Sequence, residues 1–178
     1  RVSLNVDPSQ EAYQGTVSID LTLASAKKIL WLHSLEHTII KAVLTSSSGI
    51  KTELTAERAV TDWLGLKAPA SIPAGSHTLD IAFTGTMTNP LFGMYRAQDG
   101  DEWYIFSQME PLGAREAFPC FDEPRFKTPF DWTLTIPAGQ QAFSNAPAIA
   151  RSTEGARTSG DTWYATSRAQ TSPKRKTA

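Results

Sequence analysis

The sequence predicts an all-β fold, an antiparallel β-sandwich or saddle-like domain with at most one short helical turn. Short runs in which apolar and polar residues alternate, rich in Val, Ile, Leu and Thr, are typical of half-buried strands. Eleven Gly and eleven Pro are spread between these runs, where the chain has to turn. No long amphipathic helical pattern appears, so the pattern favours a sandwich of antiparallel sheets.

The strands can be assigned in chain order. Residues 1–7 place apolar side chains on one side of a strand, Pro8 turns the chain, and residues 15–23 repeat the alternation, which predicts an antiparallel hairpin. The Asp-Gly-Asp sequence at 99–101 predicts a tight hairpin turn, and residues 114–117 can form one helical turn. Further strands are predicted over residues 28–33, 38–45, 51–56, 63–66, 76–86, 94–97, 103–107, 130–136, 141–145, 149–152 and 162–166.

Size and charge limit the domain count and the partners. With 178 residues, one domain over residues 1–170 is predicted, and the basic end, residues 171–178, is predicted to be disordered. A formal net charge of -1 offers no field that attracts nucleic acid or an anionic membrane. No apolar run reaches the roughly 20 residues of a spanning helix. A soluble protein without these partners is therefore expected, and a single Cys leaves both cytoplasm and periplasm open.

One stretch departs from the alternation. Residues 107–127 read Ser-Gln-Met-Glu-Pro-Leu-Gly-Ala-Arg-Glu-Ala-Phe-Pro-Cys-Phe-Asp-Glu-Pro-Arg-Phe-Lys, and they follow Gly-Met-Tyr-Arg at 93–96 and precede Phe-Asp-Trp-Thr-Leu-Thr-Ile at 130–136. The sequence of these segments resembles that of the amino-terminal domain of the zinc aminopeptidases of the aminopeptidase N family. The resemblance is specific over residues 91–148 and only general elsewhere.

Gln108 and Glu110 are the candidate substrate-binding residues. At positions i and i+2 of an extended segment they point the same way, while Met109 points back toward the core. A carboxylate beside an amide oxygen can accept charge-assisted hydrogen bonds from an ammonium group. Spacing alone favours a solvated strand end, but the resemblance implies that this Gln-x-Glu element holds the free amine of a peptide. For the peptide bond between Glu110 and Pro111, cis and trans both remain open, and the resemblance supports cis.

The resemblance also implies a parent enzyme in which zinc activates water and polarises the peptide carbonyl. The family's His-Glu-x-x-His helix, its third Glu ligand, its Gly-x-Met-Glu-Asn strand and its oxyanion-stabilising Tyr have no counterpart in these 178 residues. The chain is therefore expected to contain no catalytic residue and to bind no zinc. It is expected to supply the amine anchor to a catalytic domain of the same polypeptide, and to be inactive alone.

Other conspicuous residues of this stretch are interpreted as structural. Arg115, Asp122, Glu123 and Lys127 can be drawn as an acid and base site, but acids next to Pro and among basic residues are more often loop-fixing ion pairs. Cys120 has no His near it in sequence, and a buried, inert thiol is expected.

A rival hypothesis is a non-catalytic β-sandwich binding module that uses some of the five Trp and four Tyr for carbohydrate or protein contacts. It predicts an exposed aromatic platform. The aminopeptidase hypothesis instead predicts that Phe118, Phe121 and Phe126 are packed onto the sheet and that Glu110 lies at a surface edge.

A further alternative is an autonomous inverted zinc peptidase, because residues 33–37, His-Ser-Leu-Glu-His, match the form His-x-x-Glu-His. That chemistry needs His33 and His37 on one face of a helix, with the Glu between them as general base. The flanking residues are strand-like, which argues against a helix. His77, at the start of another predicted strand, is expected to be solvated.

Overall fold

The structure, a computed structural model, describes residues 1–60, 62–87, 91–126, 128–153 and 160–167. Over these residues the fold is all-β with a single 3-10 turn, Ala114–Glu116, as the sequence predicts. No helix in these ranges has the length and apolarity needed to cross a membrane. The strands are β1 (Val2–Asn5), β2 (Ala12–Leu23), β3 (Lys27–His33), β4 (Thr38–Ser46), β5 (Lys51–Glu53), β6 (Thr55–Val60), β7 (Trp63–Ile72), β8 (Gly75–Thr86), β9 (Gly93–Asp99), β10 (Glu102–Gln108), β11 (Phe130–Pro137), β12 (Ala148–Thr153) and β13 (Gly160–Ser167).

The strands of the described part of the chain form three sheets. The largest has the order β12-β13-β11-β1-β2-β8-β4-β5, a second has the order β3-β7-β6, and β9 and β10 form a two-stranded hairpin. Every pair is antiparallel except β1 with β11, which is parallel. Parallel neighbours need a long crossover. Most of the chain separates β1 from β11, which is why local alternation could not predict this pair.

The two larger sheets share one hydrophobic core. Leu79, Ile81 and Phe83 of β8 belong to the same buried cluster as Leu32 of β3 and Leu66 of β7, and each is at most 1% exposed. Burying a side chain of this size contributes roughly 1.5–3 kcal/mol. This shared core gives the sandwich that the alternating pattern predicts.

The chain crosses from one sheet to the other at Leu54. The predicted strand 51–56 is two strands, β5 paired with β4 in the large sheet and β6 paired with β7 in the small one. Leu54 between them is buried, and its N–H donates to the Ala42 carbonyl at 2.9 Å. At this passage a single buried residue connects a strand of the large sheet with a strand of the small one.

The predicted strand 141–145 is wrong, because no strand occurs between β11 and β12. Ala142 and Phe143 are adjacent rather than alternating, and Phe143 is 83% exposed. The predicted strand 162–166 is confirmed as part of β13, which occupies the place beside β11. The predicted basic tail, residues 171–178, lies outside the described residues.

The prediction that His77 is solvated is also wrong. His77 is 6% exposed, because side chains alternate along a strand and His77 therefore shares the inward face of β8 with Leu79. Its Nε2 lies 3.0 Å from the Pro73 carbonyl. A carbonyl only accepts, so Nε2 carries the proton in this bond.

Candidate functional site

The hairpin of β9 and β10 delivers the predicted binding residues. In its register Gln108, the last residue of β10, pairs with Gly93, the first residue of β9. One face of the hairpin turns toward the core, where Met94 is buried and Ile105 packs against the hydrophobic cluster. The other face carries Gln108 and is exposed at that residue.

Arg96 fastens the hairpin to the main sheet. Its Nε donates to the Pro8 carbonyl at 2.8 Å, its Nη1 lies 3.6 Å from Glu11 Oε1, and its guanidinium carbon lies 4.0 Å from the ring centroid of Trp103. Only 8% of the Arg96 side chain is exposed. Because a guanidinium combines planar stacking with several fixed donors, one side chain links both hairpin strands to the loop between β1 and β2.

The candidate pair lies where β10 ends. Gln108 and Glu110 are exposed, whereas Met109 between them packs against the core. Within the described residues, neither the Gln108 amide nor the Glu110 carboxylate has a hydrogen-bond or ion-pair partner. The peptide bond between Glu110 and Pro111 is cis. The backbone therefore presents one acid and one amide to the surface, both without partners in this part of the chain.

Gly113 closes the turn that follows. Its N–H donates to the Met109 carbonyl at 2.8 Å. A Cβ at position 113 would lie 2.7 Å from the Gln108 carbonyl oxygen and 3.0 Å from Met109 Cα. Both neighbours are backbone atoms, which cannot move aside as a flexible side chain can. Only a residue without a side chain fits between them.

Replacing Gly113 by Ala should therefore displace the segment that carries Gln108 and lower the free energy of unfolding by about 1–3 kcal/mol. Urea unfolding of the chain measures this change. Leu112→Ala is the neighbouring control, because Leu112 is 40% exposed and its truncation should change stability by no more than about 0.5 kcal/mol. Equal stability of Gly113→Ala and the parent would contradict the close approach.

A buried chain of hydrogen bonds holds the end of the 3-10 turn. Tyr13 Oη donates to the Ala117 carbonyl at 2.9 Å and lies 3.0 Å from His37 Nε2, while His37 Nδ1 lies 3.0 Å from Ser34 Oγ. Since the Tyr13 hydroxyl donates to a carbonyl, its oxygen accepts from His37 Nε2, and His37 Nδ1 accepts from Ser34. Burial raises the pKa of Tyr13, and the negative charge of Glu116 raises it further, which keeps the hydroxyl protonated as a donor.

Arg115 fixes the segment from the other side. Its Nε and its backbone N–H both donate to Asp122 Oδ2, at 3.0 and 3.1 Å, and its Nη2 donates to the Asp122 carbonyl at 2.9 Å. Its Nη1 pairs with Asp62, which precedes β7. The predicted structural role of Arg115 and Asp122 is confirmed, while Glu123 pairs with the exposed Arg125 and Lys127 lies outside the described residues.

His33 joins the segment to β3. Its N–H and carbonyl exchange hydrogen bonds with Cys120 at 2.9 and 3.0 Å, and its Nδ1 accepts from the Asp122 N–H at 3.3 Å. Its ring packs against the Trp63 ring with centroids 4.2 Å apart and the ring planes tilted by 40°. Burial lowers the pKa of His33, and the nearby Arg115 lowers it further, against smaller opposing effects of carboxylates that include Asp62 and Asp122. The folded protein thus favours a neutral ring, which leaves Nδ1 free to accept.

This depressed pKa predicts a pH dependence of stability. Below the ordinary value of 6.5 the unfolded chain binds a proton at His33 before the folded chain does, so stability should fall as the pH drops below 6.5. His33→Asn should reduce the slope of the unfolding free energy against pH between pH 6.5 and 5, because Asn offers an acceptor but does not titrate. Denaturant unfolding across this range measures the slope, and an unchanged slope in the variant would contradict the assignment.

The His33 to His37 segment does not form the helix that an inverted zinc peptidase requires. His33 ends β3, Glu36 has a positive φ of 58°, and His37 precedes β4. The ring nitrogens of His37 and Nδ1 of His33 are occupied by the hydrogen bonds described above. No group of three or more metal-ligating side chains occurs among the described residues. These histidines position the loop instead, and the motif does not fit a zinc ion.

Of the residues predicted to be buried or packed in this segment, Cys120, Phe118 and Phe121 are, and Phe126 is not. The expected burial of Cys120 is confirmed, and burial raises the pKa of its thiol, which favours the unreactive protonated form. Phe118 is 1% exposed and Phe121 packs against the core, as predicted. Phe126, predicted to be packed, is 46% exposed, and its ring lies 6.0 Å from that of Phe121, centroid to centroid, and beneath the guanidinium of Arg125.

Sequence reasoning missed the residues that hold the site from a distance. Asp62 lies 53 positions from its partner Arg115 and Tyr13 lies 104 positions from Ala117, while His37 contacts the segment through Tyr13, and no local pattern links these residues to it. Arg96 stands in the quoted Gly-Met-Tyr-Arg segment, which could have signalled a role for it. The segment alone does not say that its partner is the Pro8 carbonyl.

The strands described above define an all-β domain, and comparison with known proteins shows which family of such domains it belongs to. Residues 1–172 match the sequence model of the peptidase M1 N-terminal domain. Aminopeptidase 2, mitochondrial, of Saccharomyces cerevisiae is 34% identical over 154 residues, which cover 80% of this chain and 16% of that protein. The puromycin-sensitive aminopeptidase of Caenorhabditis elegans is 32% identical over 149 residues, 79% of this chain and 16% of that protein. The human glutamyl aminopeptidase is 31% identical over 157 residues, 81% of this chain and 16% of that protein.

This chain belongs to the peptidase M1 N-terminal domain family. It spans about one sixth of the length of these curated relatives.

Proposed function

We propose that this chain is the amino-terminal domain of a zinc aminopeptidase, and that Gln108 and Glu110 hold the free amino group of its peptide substrate. One observation carries the proposal. Arg96 on the hairpin and Arg115 and Asp122 in the segment that follows it are engaged with partners, whereas the Glu110 carboxylate has none within the described residues. An ammonium group supplies the charge-assisted donors that such a carboxylate lacks.

The arrangement supports an anchoring role rather than a chemical one. Gln108 ends β10 and Glu110 lies two residues further on, between a hairpin that Arg96 fastens to the Pro8 carbonyl and a turn that Gly113 closes on Met109, so the pair has a rigid support on both sides. Rigid capture of the amine would set the register of the peptide, so that only its first bond reaches the reacting groups. The names of the three relatives above, all aminopeptidases, agree with a substrate that has a free amino end.

Zinc does not fit the residues described here, because the histidines that could bind it are hydrogen-bonded within the fold. We therefore place the metal, and the catalytic domain that holds it, in the part of the polypeptide outside this chain. In this proposal residues 1–170 form one β domain, residues 171–178 are a disordered basic end, and the partners are the peptide and that catalytic domain.

The test compares the 178-residue chain with the full-length polypeptide. An aminoacyl reporter with a free amine and the same reporter with an acetylated amine are offered to both. The full-length protein should cleave only the free-amine reporter and should lose this activity on chelation of metal, whereas the chain alone should cleave neither. Metal-dependent cleavage by the chain alone, or equal cleavage of the acetylated reporter, would overturn the proposal.

One observation favours the rival binding module. Tyr104 and Phe106 on the hairpin are 47% and 48% exposed, as an aromatic platform would be. Of the features on which the two hypotheses differ, the burial of Phe118 and the surface position of Glu110 favour the anchoring domain, while Phe126 favours the module. Binding of a soluble oligosaccharide or protein to these aromatic rings, with no cleavage by the full-length polypeptide, would support the module instead.

A further inference from the structure

The Tyr13 ring has a fixed direction because it lies across a glycine of the neighbouring strand. Tyr13 of β2 pairs in register with Gly85 of β8, and a Cβ at position 85 would lie 2.4 Å from the ring carbon that bears the Tyr13 hydroxyl. The next pair on this face is the reverse, because Phe83 of β8 lies over Gly15 of β2, where a Cβ would be 2.5 Å from the Phe83 ring. The two rings meet edge to face with centroids 6.2 Å apart. Each glycine thus leaves the space that an aromatic ring of the opposite strand fills.

This direction brings the Tyr13 hydroxyl to the end of the 3-10 turn. Its oxygen lies 2.9 Å from the Ala117 carbonyl oxygen and 3.3 Å from that of Glu116. The last carbonyls of a helical turn have no partner inside the turn, so they need donors from elsewhere. Tyr13 is 3% exposed, so water has little access to replace its hydroxyl. The end of the turn therefore takes this donor from a side chain 104 positions away in the sequence.

The 3-10 turn and the residue before it contact the strand pair that carries Gln108 at two places. A Cβ at Gly93, the residue opposite Gln108 in the register, would lie 2.5 Å from Glu116 Cβ, so the Glu116 side chain packs directly on the backbone of β9. Gly113, which precedes the turn, packs as closely on the Gln108 carbonyl oxygen. Because close-packed groups transmit displacements to their neighbours, a shift of the turn should displace Gly93 and Gln108 together.

We propose that Tyr13 is a positioning residue of the amine site, which sets the placement of Gln108 and Glu110 through the 3-10 turn without touching the substrate. This role rests on the proposed function, in which that pair holds the free amine. A misplacement of about 1 Å, caused by a change far from the reacting atoms, can lower a rate by about 100-fold. Loss of the Tyr13 hydroxyl alone should have a smaller effect, because Arg115 still holds the segment from its other side.

Tyr13→Phe tests this role, because it removes the hydroxyl and keeps the ring over Gly85. In the full-length polypeptide it should lower kcat/KM for a free-amine peptide by about 3- to 10-fold, the factor expected for one hydrogen bond, and mainly through a higher KM. Leu79→Val is the control, since it loosens the core at a 0% exposed position further along β8 and should leave KM unchanged. Thermal unfolding shows that both variants are folded. An unchanged kcat/KM in Tyr13→Phe would overturn the proposal.

A double-mutant cycle separates positioning of the pair from a general loss of stability. In a Glu110→Ala background, Tyr13→Phe should lower kcat/KM by less than about 2-fold, because the carboxylate whose placement it sets is already gone. A change that only unfolds part of the protein lowers kcat/KM by the same factor in both backgrounds, so equal factors would overturn the positioning role while leaving the anchor in place. If Glu110→Ala itself changes nothing, the proposed function fails, and the positioning role fails with it.

Amide hydrogen exchange of the full-length polypeptide measures the same coupling without turnover. Tyr13→Phe should speed exchange several-fold over residues 108–118, where the Gly113 N–H is bonded to the Met109 carbonyl and the Ala117 N–H to the Ala114 carbonyl. Exchange over residues 79–84 of β8 should not change, because the Tyr13 ring still covers that strand. Unchanged exchange over residues 108–118, or equal acceleration in both stretches, would overturn the positioning role.

Discussion

Replacing Glu110 by Ala in the full-length polypeptide should lower kcat/KM for peptides with a free amino terminus by about 10- to 100-fold, because a hydrogen bond to a charged group contributes roughly 1.5–3 kcal/mol. The carboxylate is exposed and without a partner in the described residues, so its removal should not change the unfolding temperature. Steady-state kinetics on a short peptide series measures the effect, and thermal unfolding shows that the fold is intact.

Two variants sharpen this experiment. Glu102→Ala removes an exposed acid from the other end of the same strand and should leave kcat/KM unchanged. Glu110→Gln keeps the shape and an acceptor oxygen but loses the charge, so its kcat/KM should lie between those of the parent and Glu110→Ala. If Glu110→Ala folds normally and keeps the turnover and affinity of the parent, Glu110 does not anchor the amine.

Replacing Arg115 by Ala should be the most destabilising single change in the segment, with a loss of about 3 kcal/mol or more of unfolding free energy. The Arg115 and Asp122 side chains are only 12% and 10% exposed, so the substitution leaves a nearly buried carboxylate without its cation. It also removes the link to Asp62 and the hydrogen bond to the Asp122 carbonyl. For a chain of this length the unfolding temperature should fall by roughly 6–12 °C.

Arg125→Ala is the matched control for Arg115→Ala. Arg125 also pairs with an acid of the same segment, Glu123, but its side chain is 73% exposed. An exposed ion pair contributes no more than about 1 kcal/mol, so this variant should remain close to the parent. Comparable losses in the two variants would show that burial of Arg115 does not determine its contribution.

Cys120 offers a local readout of the same change. It is the single thiol of the chain and is buried beside His33, so a thiol reagent should label it slowly in the parent. Arg115→Ala should speed this labelling under native conditions, because the segment around Cys120 opens more often when its anchor is lost. Arg125→Ala should not.

Much of the fold could be predicted from local pattern. The alternation that placed Leu79, Ile81 and Phe83 on one face of a strand is the alternation that buries them. The same rule applied to His77 predicts its burial, but its position at the start of a predicted strand suggested that it is solvated. The prediction of a strand over residues 141–145 is wrong because the apolar residues there, Ala142 and Phe143, are adjacent and do not alternate with polar ones.

For the candidate site, too, some features could be predicted from the sequence and others could not. That Gln108 and Glu110 face outward around an inward Met109 follows from the two-residue period of an extended chain. Their role as amine anchors stays a prediction, which the Glu110 variants test. That residues 33–37 position a loop rather than bind metal could be predicted only in part, from the strand-like residues on either side.

The amino-acid sequence by itself determined the β class, the strand periodicity and the outward placement of the candidate pair, because these depend on neighbours two residues apart. Only the tertiary structure decided the parallel pairing of β1 with β11, the hydrogen bond from Arg96 to the Pro8 carbonyl, and the hydrogen bonds that join His37 to Tyr13 and Tyr13 to the Ala117 carbonyl. Arg96 and Pro8 are 88 positions apart in the sequence, and Tyr13 and Ala117 are 104 apart. Such partners meet only when the whole sandwich has packed, and no local pattern encodes which of them will meet.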